Sequence, residues 1–386
     1  MSVVPQPWFR EMKRICLALL SLPALVGAQE GVIVYRLGRD TAAIEQFTRT
    51  PTKFFGEMVS RAGNAVVRTT YDITVANNRP TAAVIRRMQA NGSPFANQPT
   101  EFRFTFRADS AIRETVWADS TQRRAFAAPN AWPALPVFAY APLEILNAAG
   151  RAGGRRDSIP AIPLAGNNPG IVGLETLGGD TLRLRGGFYA MLMRFDRDGR
   201  LQSVDGSLTT NKSVGTRAPG RADIAVISQS MKPTGVLSPR QTAYASFAQG
   251  PITINYGSPA VRGRTVWGGT LVPFDSIWRA GANEATHLAT SKNIQVGDMT
   301  LAPGLYSLWI QHTRNGTFLI VNRQVGQWGT QYNAANDIGK VAMELAPAPS
   351  HVEDLTYTIR SLGQGRGAID LAWGDKVATA NFVLRQ

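Results

Sequence analysis

Short runs of alternating apolar and polar residues fill most of the chain. In the first half, the pattern NAVVRTTYDITV breaks at ANNRP and then resumes as TAAVIRRM. A period of two is typical of strands with one buried face, and Asn at the break is typical of a turn. A second hairpin is predicted at Asp198 and Gly199, within FYAMLMRFDRDGRLQSVDGSL. Helical periodicity is nearly absent, so the pattern predicts a mainly β protein with antiparallel strands.

The chain has 386 residues, which is more than one ordinary domain needs. Residues 29–228 predict an antiparallel meander that curls into a half-barrel or barrel-like body. A Pro- and Ala-rich stretch crosses its end, with a short helix at residues 143–149. Two prolines and a glycine make residues 229–241 a predicted linker. About nine short strands in residues 242–386 predict a β-sandwich or jelly-roll-like domain.

The first 28 residues predict a signal peptide. Translation is expected to start at Met12, and Lys13 and Arg14 precede an apolar run over residues 15–26. Small residues up to Ala28 suit cleavage before Gln29, and the apolar run is too short to span a bilayer as a helix. The chain's one cysteine, Cys16, lies in this segment, so no disulfide is expected in the mature protein. We therefore expect a periplasmic or secreted protein that does not span the membrane.

The chain is basic, with a formal net charge of +14. Arginines are scattered through the strand patterns, and no block of basic residues is longer than two. The sequence lacks the motifs of helix-turn-helix proteins and of aromatic–basic RNA-binding modules. The charge therefore predicts loose affinity for acidic polymers and no specific nucleic-acid partner.

The second half carries four long motifs in order. They are SPR at 238–240, INYGSPAVRGRTVWGG from residue 254, LVPFDSIWRAGANEATHLATSKNIQVGDMTLAPGLYSLW from 271, and VNRQVGQWGTQYN from 321. Over residues 236–384 the chain resembles a bacterial family known as domain of unknown function 2911. The resemblance implies an exported bacterial protein with a β-sandwich domain, and it implies no activity.

Polar and aromatic residues in the predicted loops of this half form the candidate binding site. Tryptophan can cover the apolar face of a sugar ring while polar groups hold its hydroxyls. The pattern thus predicts a binding or structural protein whose partner is a polysaccharide or another cell-envelope component. The alternative is architectural, with Glu284 buried and paired to Arg279 or Arg264, and Trp278 in the core. The candidates are Arg262, Arg264, Trp278, Arg279, Asn283, Glu284 and Trp328.

Neither a metal nor a cofactor is predicted. Glu284 and His287 stand three apart, so in a strand they point to opposite faces. Whether the protein is an enzyme stays open, with a non-enzymatic role favoured. One alternative is an envelope hydrolase in which Glu284 is the acid or base, which requires a second carboxylate nearby. Another is a carrier that holds an apolar ligand against the curved sheet of residues 29–228.

Overall fold

The computed structural model of the protein describes residues 27–154, 158–178, 180–186, 189–207, 209 and 212–385. These residues form two large, predominantly antiparallel sheets in succession, here called the N-terminal sheet and the C-terminal sheet. The predicted mainly β fold is confirmed. Most of the predicted signal peptide, residues 1–26, lies outside the described residues. The domain bounds 29–228 and 242–386 stay predictions about independent folding units.

The N-terminal sheet has 15 strands. In chain order they are β1 Gln29–Leu37, β2 Asp40–Arg49, β3 Lys53–Ala62, β4 Ala65–Ala76, β5 Arg79–Gln89, β6 Glu101–Phe106, β7 Ala111–Val116, β8 Thr121–Phe126, β9 Trp132–Pro133, β10 Ser158–Ile162, β11 Gly170–Thr176, β12 Thr181–Gly186, β13 Tyr189–Phe195, β14 Leu201–Asp205 and β15 Val214–Ala218.

The N-terminal sheet is a meander with two arms. One arm runs from β1 to β8, the other from β15 back to β9, and β1 pairs with β15 between them. In the described part of the chain, no pairing joins β8 to β9, so the sheet stays open. Arg113 of β7 nevertheless reaches the turn after β10, where its guanidinium donates to the carbonyls of Pro163 (2.7 Å) and Gly166 (3.0 Å). The two ends of the sheet therefore curl towards each other.

The two faces of the N-terminal sheet are covered differently. The concave face shares one core with residues 128–149, here called the inner segment, which contains helix α1, Leu143–Ala149. This helix lies where the sequence predicts one. The outer face packs at β2–β4 against a second helix, α2, Ile224–Ser230. The sequence analysis missed α2, although its N-cap Asp223 accepts the N–H of Val226 (3.0 Å).

A buried carboxylate on β2 holds the inner segment to the concave face. Glu45 is fully buried and accepts hydrogen bonds from the hydroxyls of Tyr35 (2.6 Å) and Tyr71 (2.7 Å). It also accepts the backbone N–H of Ala141 at 3.1 and 3.3 Å. The close approach of Tyr71 requires a glycine in β3, because a Cβ at Gly56 would lie 2.5 Å from the tyrosine oxygen. These bonds offset part of the desolvation of the carboxylate.

A second buried carboxylate, Glu144, holds α1 from the other side. Its Oε1 accepts the N–H of Leu201 (2.8 Å) and a guanidinium N–H of Arg217 (3.1 Å), and its Oε2 accepts from Arg49 (3.5 Å). Burial raises the pKa of Glu144, and the Leu201 N–H and the two arginines lower it in part. The inner segment is thus tied to β2, β14 and β15 through a carboxylate that has no access to water.

The C-terminal sheet has 10 strands and follows directly after α2 and a connecting segment. They are β16 Arg240–Phe247, β17 Gly250–Gly257, β18 Ser276–Trp278, β19 Thr286–Thr290, β20 Ile294–Val296, β21 Met299–Leu301, β22 Gly304–Thr313, β23 Gly316–Asn322, β24 Asp337–Gly363 and β25 Arg366–Leu384. A 3₁₀ turn at Ala334–Asn336 directly precedes β24.

Two long strands make this sheet fold over itself. The first residues of β24 pair with β23, while its far end packs face to face on β17, where Tyr357 donates its N–H to the Tyr256 hydroxyl (3.2 Å). The aromatic rings of these two tyrosines are 4.8 Å apart. The resulting two layers enclose one hydrophobic core, as expected for a sandwich.

The prediction that all strands of this half are short is wrong for β24 and β25, which have 27 and 19 residues. The segments VAMEL and LTYTIRS belong to one strand, and so do AIDLAWG and ATANFVLR. Pro347 and Pro349 separate the first pair in the sequence. Proline lacks the N–H that a ladder needs, and the pairing register of β24 with β25 does shift between Pro347 and Val352, but the strand continues past the break.

The environment of Glu45 predicts a pH dependence of stability. Burial raises the pKa of this carboxyl to about 7, against an ordinary value of 4.5. A raised folded-state pKa means that its contribution to stability is complete below pH 4.5 and is lost as the pH rises to about 7. In the wild type, this carboxyl should lower the free energy of unfolding by up to about 3 kcal/mol between pH 4.5 and 7. We expect this part of the decline to be absent in Glu45→Gln.

Urea denaturation at several pH values measures this effect. Glu344→Gln removes an exposed carboxylate and is the matched control, with the pH profile of the wild type. An unchanged profile in Glu45→Gln would contradict the assignment.

Candidate functional site

The residues predicted to form one patch lie in two separate places. One group lines a cleft between the two sheets, and the other is exposed on the C-terminal sheet. The cleft has a volume of about 160 Å³, and we call it the junction cleft. Among the predicted residues, its lining includes Arg262, Arg264, Trp278, Arg279 and Asn283.

Trp278 is a core residue and not an exposed platform. Its side chain is buried, and its ring stacks on that of Trp373 with centroids 5.6 Å apart and planes at 14°. The ring of Trp267 meets it edge-on at 6.5 Å. Trp278 therefore has no exposed ring face with which to cover a sugar, because its ring packs in the sandwich core.

Arg279 follows Trp278 but turns towards the junction cleft. In the part of the chain that the structure describes, no hydrogen bond or ion pair satisfies its guanidinium, and its Nε is buried without a partner. Its aliphatic stem lies on Gly329, where an added Cβ would be 1.9 Å from the Arg279 Cδ. The backbone that follows Arg279 is unusual for non-glycine residues, since Ala280 and Asn283 have φ values of 52° and 63°.

Arg262 and Arg264 connect the loop after β17 to its surroundings. The guanidinium of Arg262 pairs with Asp40 of β2, and its carbonyl accepts the N–H of Arg39 (3.0 Å), so this loop touches the N-terminal sheet. Arg264 instead donates to carbonyls of its own loop, from Nε to Val261 (2.9 Å) and from Nη2 to Ala260 (2.7 Å). Both arginines are thus held in place before any ligand arrives.

Glu284 and Trp328 form the exposed group. The Glu284 side chain is 57% exposed and lies 3.8 Å from a guanidinium nitrogen of Arg240. Trp328 is 38% exposed and bridges to Glu284 through the backbone. Among the described residues, no ion pair joins Glu284 to Arg279 or Arg264, so the pairing expected in the architectural alternative is not formed. An exposed ion pair at this distance contributes little to stability.

The histidines lie apart from one another. His287 accepts the N–H of Gly326 (3.0 Å), and His312 bonds the hydroxyl of Thr317 (2.9 Å). His351 lies between Glu353 and Asp375. Within residues 27–385, wherever the structure describes them, no group of three or more His, Cys, Asp or Glu residues has an arrangement that could hold a metal ion.

A large open space lies inside the N-terminal sheet. A cavity of about 640 Å³, here called the interior cavity, lies between the inner segment and strands β10–β13. Its lining is almost entirely apolar, with Thr209 and Ser213 as the polar residues apart from Trp132 and Tyr140. The other lining residues are Pro133, Ala134, Leu135, Val137, Leu143, Leu146, Ile159, Ala161, Pro163, Gly170, Ile171, Val172, Leu184 and Met191.

A second cavity of about 570 Å³ lies on the opposite side of the inner segment, towards β4–β6. The two cavities share the side chains of Trp132, Leu146 and Ile159. The second cavity has a polar rim, where Arg79 pairs with Asn130 and Arg107 lies nearby. The inner segment therefore props the curled sheet open and does not fill it.

The fold and cavities define a mainly β protein with a propped, curled sheet and a C-terminal sandwich. Residues 238–382 match the family model described as protein of unknown function (DUF2911), so the predicted resemblance is confirmed for the C-terminal part of the chain. A comparison with curated proteins finds no match.

One solved chain comes from a study of how cell entry of botulinum neurotoxin type C depends on interaction with two ganglioside molecules. Its alignment covers 93% of the present chain and 88% of that chain, at 11% identity and a TM-score of 0.12. At that score, the alignment carries no argument about fold or function. No helix among the described residues has the length and apolar character needed to cross a membrane.

Sequence reasoning missed two features of these sites. Lys212, which extends into the junction cleft from the N-terminal sheet, stands in an unremarkable turn sequence. The interior cavity arises from the curvature of strands far apart in the chain, and no local pattern encodes it. The Pro- and Ala-rich composition of the inner segment was the available signal, because such a chain cannot fill a wide space with side chains.

The contact between Gly329 and Arg279 gives a test of the cleft geometry. A methyl group at residue 329 would meet the Arg279 Cδ at 1.9 Å and the Asn283 carbonyl oxygen at 2.6 Å. We expect Gly329→Ala to lower the free energy of unfolding by about 1–3 kcal/mol, as overpacking does. Chemical denaturation measures the change.

Gly304→Ala is the control, because its Cβ would meet nothing closer than 3.5 Å in the same sheet. Equal stability of the two variants would show that the Arg279 stem does not lie on Gly329.

Proposed function

We propose that the protein binds an apolar ligand in the interior cavity of the N-terminal sheet and acts as a carrier. The observation that carries this proposal is the cavity itself, about 640 Å³ with an apolar lining. Pockets for small molecules fall in the range of about 300–1,000 Å³ and are lined mostly by hydrophobic and aromatic side chains. A lipid chain or another elongated apolar molecule suits this space.

The mouth of the interior cavity supports the proposal. Val137 and Ile171 line the cavity and are 51% and 62% exposed, respectively. Exposed apolar side chains at the rim of an apolar pocket lower the barrier to a ligand that must leave water. Val137 belongs to the inner segment and Ile171 to β11, so the opening lies between the inner segment and the sheet.

The anchoring of the inner segment also supports a lasting cavity. An unsupported apolar space of this size would collapse, because the side chains around it gain contacts by closing. Glu45 of β2 accepts the N–H of Ala141 in the inner segment, and Glu144 of that segment accepts the N–H of Leu201 in β14, so both bonds resist that closure. The cavity is therefore built into the fold and needs no ligand to form.

A carbohydrate site on the C-terminal sheet has weaker support. Of the aromatic residues predicted for it, Trp328 is partly exposed and Trp278 is buried. A hydrolase with Glu284 as acid or base needs a second carboxylate close by, and the residue that lies beside Glu284 is Arg240. The carrier is therefore the function that the geometry favours.

A charge at the mouth tests the carrier proposal. The neutral dye N-phenyl-1-naphthylamine fluoresces in apolar surroundings, and we expect saturable binding to the wild type. Ile171→Glu should weaken that binding at least about tenfold, which corresponds to about 1.4 kcal/mol, because a bound apolar ligand would cover part of the carboxylate and offer it no hydrogen bond. Fluorescence titration measures the dissociation constants.

Val226→Glu is the matched control. Val226 is 63% exposed on α2, against 62% for Ile171, and it lies on the outer side of the sheet. Its dissociation constant should stay that of the wild type. Equal losses in both variants, or no saturable binding in the wild type, would contradict the carrier.

We propose in addition that the protein acts outside the cytoplasm. The layout of residues 12–28 supports export, as does the lack of any cysteine after Cys16. N-terminal sequencing of the protein recovered from the periplasm or medium should begin at Gln29. Recovery from the cytosol with residues 12–28 attached would contradict this proposal.

A further inference from the structure

The junction cleft concentrates positive charge without an anion of its own. Its described lining contains Lys212, Arg262, Arg264 and Arg279, and no carboxylate. The nearby carboxylates already have partners. Asp40 pairs with Arg262, and Glu353 accepts the N–H of that same residue at 2.9 Å.

Arg279 is the least satisfied of these cations. Its side chain is largely withdrawn from solvent, its Nε is buried, and none of its donors has a partner among the described residues. Burial lowers the pKa of its guanidinium, as desolvation of an uncompensated cation does. A partly buried charge without a partner is unfavourable, so its presence here suits a ligand that supplies the opposite charge.

Lys212 approaches from the N-terminal sheet side. Its ammonium donates to the carbonyls of Ser207 (3.1 Å) and Thr270 (2.8 Å), which leaves one of its three N–H donors. Burial, followed by the charges of Arg279 and Arg264, lowers the pKa of Lys212 to about 8. The charges of Arg279 and Arg264 thus reach Lys212 across the cleft.

We propose that the junction cleft binds an oxyanion of phosphate size, held by Arg279, Arg264 and Lys212. Guanidinium groups match the geometry of phosphate oxygens, and such charge-assisted bonds are among the stronger hydrogen bonds in proteins. The cleft volume of about 160 Å³ is large enough for one tetrahedral group. The ligand is therefore free phosphate or the terminal phosphate of a monoester.

This site also connects the two sheets. Lys212 comes from the chain before β15, whereas Arg264 and Arg279 belong to the C-terminal sheet. An anion between them replaces mutual repulsion with attraction, so phosphate stabilises the junction. The interior cavity plays no part in this inference, which is independent of the carrier proposal.

Isothermal titration calorimetry of the full chain with inorganic phosphate tests the inference, against sodium chloride at equal ionic strength. A second titration uses glycerol 3-phosphate to distinguish a monoester from free phosphate. The compound that binds more tightly identifies the class of the natural ligand. We expect saturable binding to the wild type. Binding of neither phosphate compound would overturn the inference.

Arg279→Met keeps an unbranched stem on Gly329 and removes the guanidinium. We expect its phosphate affinity to fall at least about tenfold, because hydrogen bonds to charged groups contribute about 1.5–3 kcal/mol. Its melting temperature without phosphate should equal or exceed that of the wild type, since an unpaired buried charge is lost. A lower melting temperature with unchanged affinity would show that Arg279 is structural and overturn the site.

Lys212→Gln provides a second variant from the other side of the cleft and should show the same loss of affinity. Arg323→Gln removes an exposed arginine of the C-terminal sheet and is the matched control, with wild-type affinity. Equal losses in Arg323→Gln and Arg279→Met would mean that the anion responds to overall charge and not to the cleft.

Discussion

The hydrogen bonds of two buried carboxylates, which join the inner segment to the sheet, are the constraint on which the N-terminal half depends. Glu45 accepts from Tyr35, Tyr71 and Ala141, and Glu144 is held by the Leu201 N–H with Arg217. A carboxylate withdrawn from water is tolerated only where such donors surround it. Because these donors lie on different strands, they fix both the curvature of the sheet and the position of the inner segment. The interior cavity is a consequence of that arrangement.

The C-terminal half depends on the packing of an apolar core. Its long strands β24 and β25 fold back so that Trp278 and Trp373 stack inside one core. This packing leaves Arg279, the next residue after Trp278, at the boundary with the N-terminal sheet. The apolar core and the charged junction are therefore neighbours in sequence. Trp278 ends β18 in the core, and the tight loop over residues 279–283 begins with Arg279 at the junction. The family match covers this half, whereas the cavity belongs to the other.

The sequence predicted the features that depend on local pattern. Alternation predicted the antiparallel strands, and composition predicted a crossing segment with the helix at Leu143–Ala149. The long strand β24 was missed because Pro347 and Pro349 resemble a strand end, and only its pairing with β25 shows continuity. The candidate site was predicted in part. The motif around Trp278 did contain cleft residues, but burial of Trp278 and the approach of Lys212 depend on tertiary contacts that no local pattern records.

Amide hydrogen exchange, followed by mass spectrometry, tests most directly whether the inner segment is fixed inside the sheet. The account predicts that peptides covering residues 128–149 exchange as slowly as those from β2 and β3, because the Ala141 amide and the helix α1 are held in the core. Exchange of residues 128–149 as fast as that of the turn at residues 91–99 would contradict the account, since a loose segment could not keep the cavity open.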